Sequence, residues 1–346
     1  VNVSHKQIAK VTGFSRATVS RALSNQPSIS EPTKVKVRQA AAKLGYRPNA
    51  LMSILTSQIR KSRTSPTNAT LAYVTSFPEP QIIGTGSPHY CEFHIGAKER
   101  AETLGYQLDV IWRRENSMTA ARFNQILRTR GIRGVIIAPR PHPLGHITMD
   151  YSNIAAVAVG HPLPAPHISH TSAWHFQLVS LAMRQIAKLG YQRPGFAVFG
   201  DADRYASFSY SARFALHQMQ IPVKNRVPML MSPTSTGTPG RKEFETWYFQ
   251  YKPDVLLITH PVVREWIVEM GLQVPEELGY ADLGMSEENS GVSGVYDQCR
   301  KVGAAAVDLV VEQINLNEFG VPETPKCIFI EGKWIQGTTL RELRAR

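Results

Sequence analysis

The chain has 346 residues, 42% of them hydrophobic and 19% charged, enough for two or three domains with a sizeable buried core and too apolar for a disordered chain. No apolar run approaches the roughly 18 residues a membrane span needs. Cys91, Cys299 and Cys327 are too few and too scattered for a disulfide framework or a zinc cluster, so no metal and no cofactor are expected. No signal-peptide pattern opens the sequence, and a cytoplasmic location is expected. The charge is the informative quantity. Residues 1–63 hold twelve Lys/Arg and one acid, Glu31, so this segment carries +11 of the total +12 and residues 64–346 carry +1. A small basic module on a nearly neutral body points to a polyanion partner: DNA, RNA or anionic lipid.

A lipid-surface helix would need one long amphipathic rod. The opening segment instead breaks at Gly13, at Asn25–Pro27 and at Gly45, which predicts a bundle of short helices. Between His5 and Leu23, Ala9, Gly13 and Val19 have the spacing of a helix-turn-helix, with Ser15 as cap of the second helix. Val19, Ala22 and Leu23 then face inward, and Arg16, Ala17, Ser20 and Arg21 face out, where Arg and Ser reach base edges and phosphates in a major groove. A third helix is expected from the Ser30 cap and Pro32 to Gly45, with Val37, Ala41 and Leu44 as its inner stripe.

The run "KQIAKVTGFSRATVSRALSNQPSISEPTKVKVRQAAAKLGYRPNAL" resembles, without a gap, the DNA-binding headpiece of the lac repressor/purine repressor family of bacterial transcription factors. The resemblance implies that Arg16, Ala17 and Arg21 read bases. It also implies that Ser15, Thr18, Ser30 and Asn49 contact or lie near the backbone, and Ser4, Ser20 and Asn25 are further expected DNA-binding residues. Asn49–Ser57 matches the family's hinge helix, and Leu55 falls on the apolar wedge that enters the minor groove and bends the duplex. Met52 and Ile54 make this hinge more apolar than the usual version. The implied division is a headpiece over 1–48, a hinge helix and linker over 49–67, and a core over 68–346.

From about residue 68 short apolar runs alternate with amphipathic segments. Strands are predicted at Leu71–Thr75, Gln107–Trp112, Gly134–Ala138, Ala156–Val159, Gly195–Phe199, Val255–Thr259 and Cys327–Ile330. Helices are predicted at Glu92–Leu104, Ala120–Arg130, Phe176–Leu189, Tyr210–Gln218, Arg241–Gln250, Val263–Met270 and Arg300–Asn317. Such alternation predicts two mostly parallel α/β sheets, and the repeated "LGYQ" at 104–107 and 189–192 supports two lobes. "GVIIAP", "IAKLGYQRPGFAVFG", "GLQVPEELG" and "GVYDQCRKVGAAAVDLV" resemble signatures of the family's effector-binding core. The full expectation is an all-α helix-turn-helix headpiece plus a two-lobed α/β core like a periplasmic sugar-binding protein. Its N-lobe would span about 68–160 and 296–322, and its C-lobe about 161–295 and 323–346.

Ligands of open α/β sheets sit at the carboxyl ends of strands. The positions expected at the cleft are Phe77, Tyr90, Gly160, His161, Ile168, Tyr205, Phe208, His260, Asp282, Asp297 and Gln298. By the resemblance, the family's sugar-gripping Arg is replaced by Phe208 and its Asn-Asp pair by His260-Pro261, while its Asp falls near Gly284 or Met285. A bidentate Arg forks onto hydroxyls, whereas Phe offers only a ring face. Three outcomes stay open: a ligand unlike a monosaccharide, a ligand held by His161, His260 and Asp282, or a pocket without a ligand. His161, His167, His170 and His175 lack metal-ligand spacing, Gly84-Thr85-Gly86 makes a poor phosphate loop, and no nucleophile–base grouping is evident, so an enzyme is not expected.

The reading these features favour is a homodimeric transcription regulator, a repressor, binding pseudo-palindromic double-stranded operator DNA under control of a small-molecule effector, carbohydrate being one class. Two alternatives are a ligand-independent DNA-bending protein and a sugar-binding protein or enzyme with an incidental basic N-terminus.

Overall fold

Ile8, Val19, Ala22, Val37, Ala40 and Ala41 close the first 46 residues around one small core. In the computed structural model, which describes residues 3–26, 28–46, 69–77, 88–113, 118–140, 147–231, 240–288 and 290–343, this core joins helices α1 (His5–Thr12), α2 (Arg16–Leu23) and α3 (Glu31–Lys43). Gly13, at φ 75°, makes the left-handed turn out of α1, and its N–H donates to Ala9 O at 3.0 Å. Ser15 Oγ accepts the Thr18 N–H at 3.0 Å and starts α2. The predicted hinge helix, with Asn49 and Leu55, lies outside the described residues.

The body contains two six-stranded sheets. The first uses β1 (Ala69–Thr75), β2 (Tyr106–Trp112), β3 (Gly134–Ile137), β4 (Ala155–Val159), β5 (Ser169–Ala173) and β11 (Cys327–Ile330), in the order β11-β5-β4-β3-β1-β2, all parallel. On one face lie α4 (Pro88–Thr103) and α11 (Cys299–Leu316), joined to the sheet by Phe93, Ala97, Val302, Ala306 and Val310. On the other lies α5 (Ala120–Thr129), through Phe123 and Leu127.

The second sheet uses β6 (Pro194–Val198), β7 (Leu230–Met231), β8 (Val255–Ile258), β9 (Gly279–Met285), β10 (Gly294–Tyr296) and β12 (Lys333–Ile335), in the order β12-β10-β9-β8-β6-β7. Only β12 runs antiparallel. Leu178, Ala182 and Phe214 of α6 (His175–Lys188) and α8 (Ser209–Gln220) pack within one core cluster of this lobe. Phe244, Trp247, Trp266 and Ile267 of α9 (Arg241–Tyr251) and α10 (Val262–Glu269) pack within the other. A short helix, α7 (Gly200–Tyr205), follows β6.

The expected lobe division needs a correction in two places. Residues 169–173 and 327–330, assigned to the C-lobe, pair in the first sheet, and the chain changes sheet near 174, at 297–298 and near 331. The reason is local chemistry. Strand β5 reads SHTSA, without an apolar run, yet its hydroxyls are satisfied inside: Thr171 Oγ1 donates to Val302 O at 3.0 Å and Ser172 Oγ to Gly160 O at 2.8 Å. Polar side chains with partners can be buried as strand, and hydropathy alone does not reveal them.

Candidate functional site

The headpiece presents α2 as expected from its periodicity. Val19 and Ala22 are buried, whereas Arg16, Ala17 and Arg21 are exposed on the opposite side and Thr18 and Ser20 are half-buried. Ser4 precedes α1, with its N–H donating to Gln7 Oε1 at 2.7 Å, and Ser30 precedes α3 with its hydroxyl 3.0 Å from that of Thr33. These serines sit at helix N-termini, where backbone N–H groups and the helix dipole favour an anion such as a phosphate. Asn25 is engaged differently. At φ 53° its Oδ1 accepts from Arg38 Nη2 at 2.8 Å and its Nδ2 donates to Asn317 O at 3.3 Å, while Asn317 Nδ2 donates to Ser24 O at 2.5 Å. The turn after α2 is thus tied to the C-terminal end of α11 in the core.

At the junction of the two sheets, part of the expected cleft set converges. The Phe77 and Tyr90 rings lie 5.1 Å apart, and Tyr90 stacks at 6.5 Å on Phe93. His161 stacks on Tyr205 at 4.3 Å, and Tyr205 Oη donates to Arg140 O at 2.8 Å. His161 Nδ1 is sealed from solvent with no hydrogen-bond partner among the described residues. Burial drives the His161 imidazole well below its ordinary pKa, assisted by nearby His175 and Arg140. Burial likewise takes His175 down to about 4, with His89 adding to it.

The remaining expected residues are placed otherwise. Asp282 is buried and paired with Arg264 Nη2, its Oδ1 accepting the Gly284 N–H at 2.9 Å. Arg264 of α10, which no sequence signal marked, holds Asp282 with its guanidinium. His260 stacks on Phe199 at 4.7 Å, and Phe208 is 54% exposed. Ile168 is buried in the N-lobe core with Ile147 and Leu163. Gln298 occupies the 297–298 crossover at φ 56° and donates from Nε2 to Glu331 O at 2.5 Å, bridging two of the three crossovers.

Three further groups meet at the same junction. Asp297 is buried, and Cys299 Sγ donates to its Oδ1 at 3.0 Å. His89 Nε2 lies 3.4 Å from Asp297 Oδ2 and 2.9 Å from Gly284 O. His89 and Cys299 carried no sequence signal as a pair, being 210 residues apart on different helices.

Residues 5–49 match the family described as bacterial regulatory proteins, lacI family. The HTH-type transcriptional regulator DegA of Bacillus subtilis (strain 168) is 28% identical over 131 residues, 38% of this chain and 34% of that protein. The sucrose operon repressor of Streptococcus mutans serotype c is 28% identical over 196 residues, 54% of this chain and 53% of the repressor, so the chain matches about a third to a half of the length of these relatives. The lac repressor dimer bound to operator and the anti-inducer ONPF superposes with a TM-score of 0.55 at 17% identity, covering 99% of this chain and 100% of that one. The helix-turn-helix with its outward Arg16 and Arg21, the two parallel sheets and these matches converge on one conclusion: residues 5–49 form a helix-turn-helix of the lacI family of bacterial regulatory proteins, and the body has the two-lobed fold of the lac repressor.

Proposed function

We propose that the chain is a sequence-specific DNA-binding transcription regulator, working as a dimeric repressor whose two-lobed core takes a small-molecule effector. The observation that carries this reading is α2, whose apolar side is consumed by the headpiece core while Arg16, Ala17 and Arg21 stand exposed on a segment of net charge +11. A guanidinium at such a position donates two parallel hydrogen bonds to guanine O6 and N7. Ser4, Ser15, Thr18, Ser20 and Ser30 would fix the register through phosphates, and Asn25 would do so only after leaving Asn317. Asn49 and Leu55 would act at the centre of a pseudo-palindromic site, where two subunits meet. The sucrose operon repressor and the operator-bound, anti-inducer-bound lac repressor dimer support operator, dimer and carbohydrate-type effector as the partners.

In the core, the rings of Phe77, Tyr90, His161 and Tyr205 form the effector face, with His260, Asp282 and Gln298 as outlying polar groups. Because Arg264 already engages Asp282 and Phe208 points outward, a ligand would be held more by ring faces than by charged forks. Selection of genomic fragments on the full chain, followed by gel shift at about 0.1 M salt, tests the reading. Retention of a specific pseudo-palindromic fragment with a steep salt dependence supports it; salt-insensitive or sequence-indifferent binding sinks it. Calorimetry of the complex against a carbohydrate panel then separates an effector-controlled regulator from a ligand-independent one.

A further inference from the structure

His89 opens α4, Asp297 lies in the two-residue link between β10 and α11, and Cys299 is the first residue of α11. Their ligand atoms, an imidazole nitrogen, a carboxylate oxygen and a thiol sulfur, all lie within 4.8 Å of one another. We propose that His89, Asp297 and Cys299 bind one divalent ion of the zinc, cobalt and nickel class at the junction of the two lobes, and that its occupancy competes with lobe closure. The binding half of this proposal stands on the local geometry alone; its consequence for DNA rests on the function proposed above.

The donor set selects the ion class. A sulfur and an imidazole favour zinc-like ions over magnesium and calcium, which take oxygen donors. Three protein ligands leave a fourth tetrahedral position for water or a small molecule. Access is provided on one side only: Cys299 and Asp297 are 1% and 8% exposed, while the His89 side chain is 28% exposed.

The ligands are also held in place. Helices α4 and α11 cross at Gly96 and Gly303, where an added Cβ would lie 2.0 Å from Arg300 O and 2.0 Å from Phe93 O, respectively. Backbone therefore touches backbone at the crossing, and Arg300 is ion-paired to Glu92 beside it. The turn bearing His89 and the turn bearing Cys299 cannot drift independently, which is the preorganisation a metal site requires. Without a cation, the cluster places two acids together out of water. A divalent ion would compensate both charges at once, and the Cys299 thiol would give its proton to solvent as the metal–sulfur bond forms.

The coupling follows from one nitrogen. Gly284 O belongs to β9 of the second sheet and can only accept, so His89 Nε2 must carry a hydrogen to make its 2.9 Å bond. Ligation through Nε2, which lies 3.4 Å from Asp297 Oδ2, needs the lone pair of that same nitrogen. Through Nε2, His89 can fasten α4 to the second lobe or hold the ion, but not both.

The test uses the full chain, stripped with a chelator, kept reduced and titrated with Co(II). One equivalent should produce a thiolate-to-cobalt charge-transfer band and release a proton, and zinc should displace the cobalt. Cys299→Ser should lose the band and weaken binding at least about tenfold, and His89→Gln should weaken binding similarly. Cys327→Ser and Cys91→Ser should behave as the parent protein. Absence of the band at one equivalent, or its persistence in Cys299→Ser, overturns the proposal. Gel shift of the metal-free protein in the same buffer separates the two readings. Specific DNA binding without a cobalt band refutes the metal site alone, and a cobalt band without DNA affinity refutes the regulator reading alone.

Discussion

The headpiece and the core solve the same problem, placing polar groups for recognition, in opposite ways. In the headpiece the exposed groups come from one eight-residue helix, so their spacing in sequence is their spacing in space. In the core the corresponding groups come from α4, β9, the 297–298 crossover, α7 and α10, which only the two sheets bring together. A contiguous site depends on its own helix; a composite site depends on every packed crossing behind it. The two regions should therefore fail differently when perturbed.

The sharpest way to break that contrast is Gly303→Ala. Its Cβ would meet the Phe93 carbonyl at 2.0 Å, so α4 and α11 must separate, at a cost on the order of 3 kcal/mol. Thermal denaturation should show the core transition lowered by several degrees, with the headpiece helices unaffected. Equal destabilisation of both regions would mean that they unfold as one unit.

A smaller effect comes from pH. His175 titrates near 6.5 when unfolded but remains neutral to about 4 when folded, and buried His161 is depressed in the same direction. Between those values the unfolded chain binds more protons, so core stability is fully present above pH 6.5 and is lost as pH falls toward 4. Denaturant titrations at pH 7 and 4.5 should differ by on the order of 2 kcal/mol for the core. The headpiece buries no histidine among its described residues, His5 being half-buried, and should show no such loss from this cause.

The smallest effect tests the tie between the regions. Asn317→Ala removes the side-chain donor to Ser24 O, worth about 1 kcal/mol, and leaves the Asn317 carbonyl that accepts from Asn25 Nδ2. Amide exchange of residues 24–26 should accelerate while α11 itself stays protected; unchanged exchange would show that the tie does not hold the headpiece.

The same contrast explains what the sequence disclosed. The three headpiece helices follow from apolar periodicity, and seven strands of the body from short apolar runs, four of them buried along their whole length. Strand β5 escaped notice because its buried residues are hydroxyls paired to backbone, β9 because Asp282 and Gly284 interrupt it, and β7, β10 and β12 because two or three residues carry no period. The outward placement of Arg16 and Arg21 needed only local spacing. Pairing of Arg264 with Asp282, the engagement of Asn25 by Asn317, and the meeting of His89 with Asp297 and Cys299 depend on long-range packing that no window of residues contains.

The central claim is that the charge-rich headpiece reads DNA through α2. It is tested most directly by measuring the affinity of the full chain for its selected genomic fragment with Arg16→Ala and Arg21→Ala in turn, across a salt series. Each change should cost about 1–3 kcal/mol and relax specificity at the base it contacts. Affinities within twofold of the parent for both variants, at every salt concentration, would contradict the account.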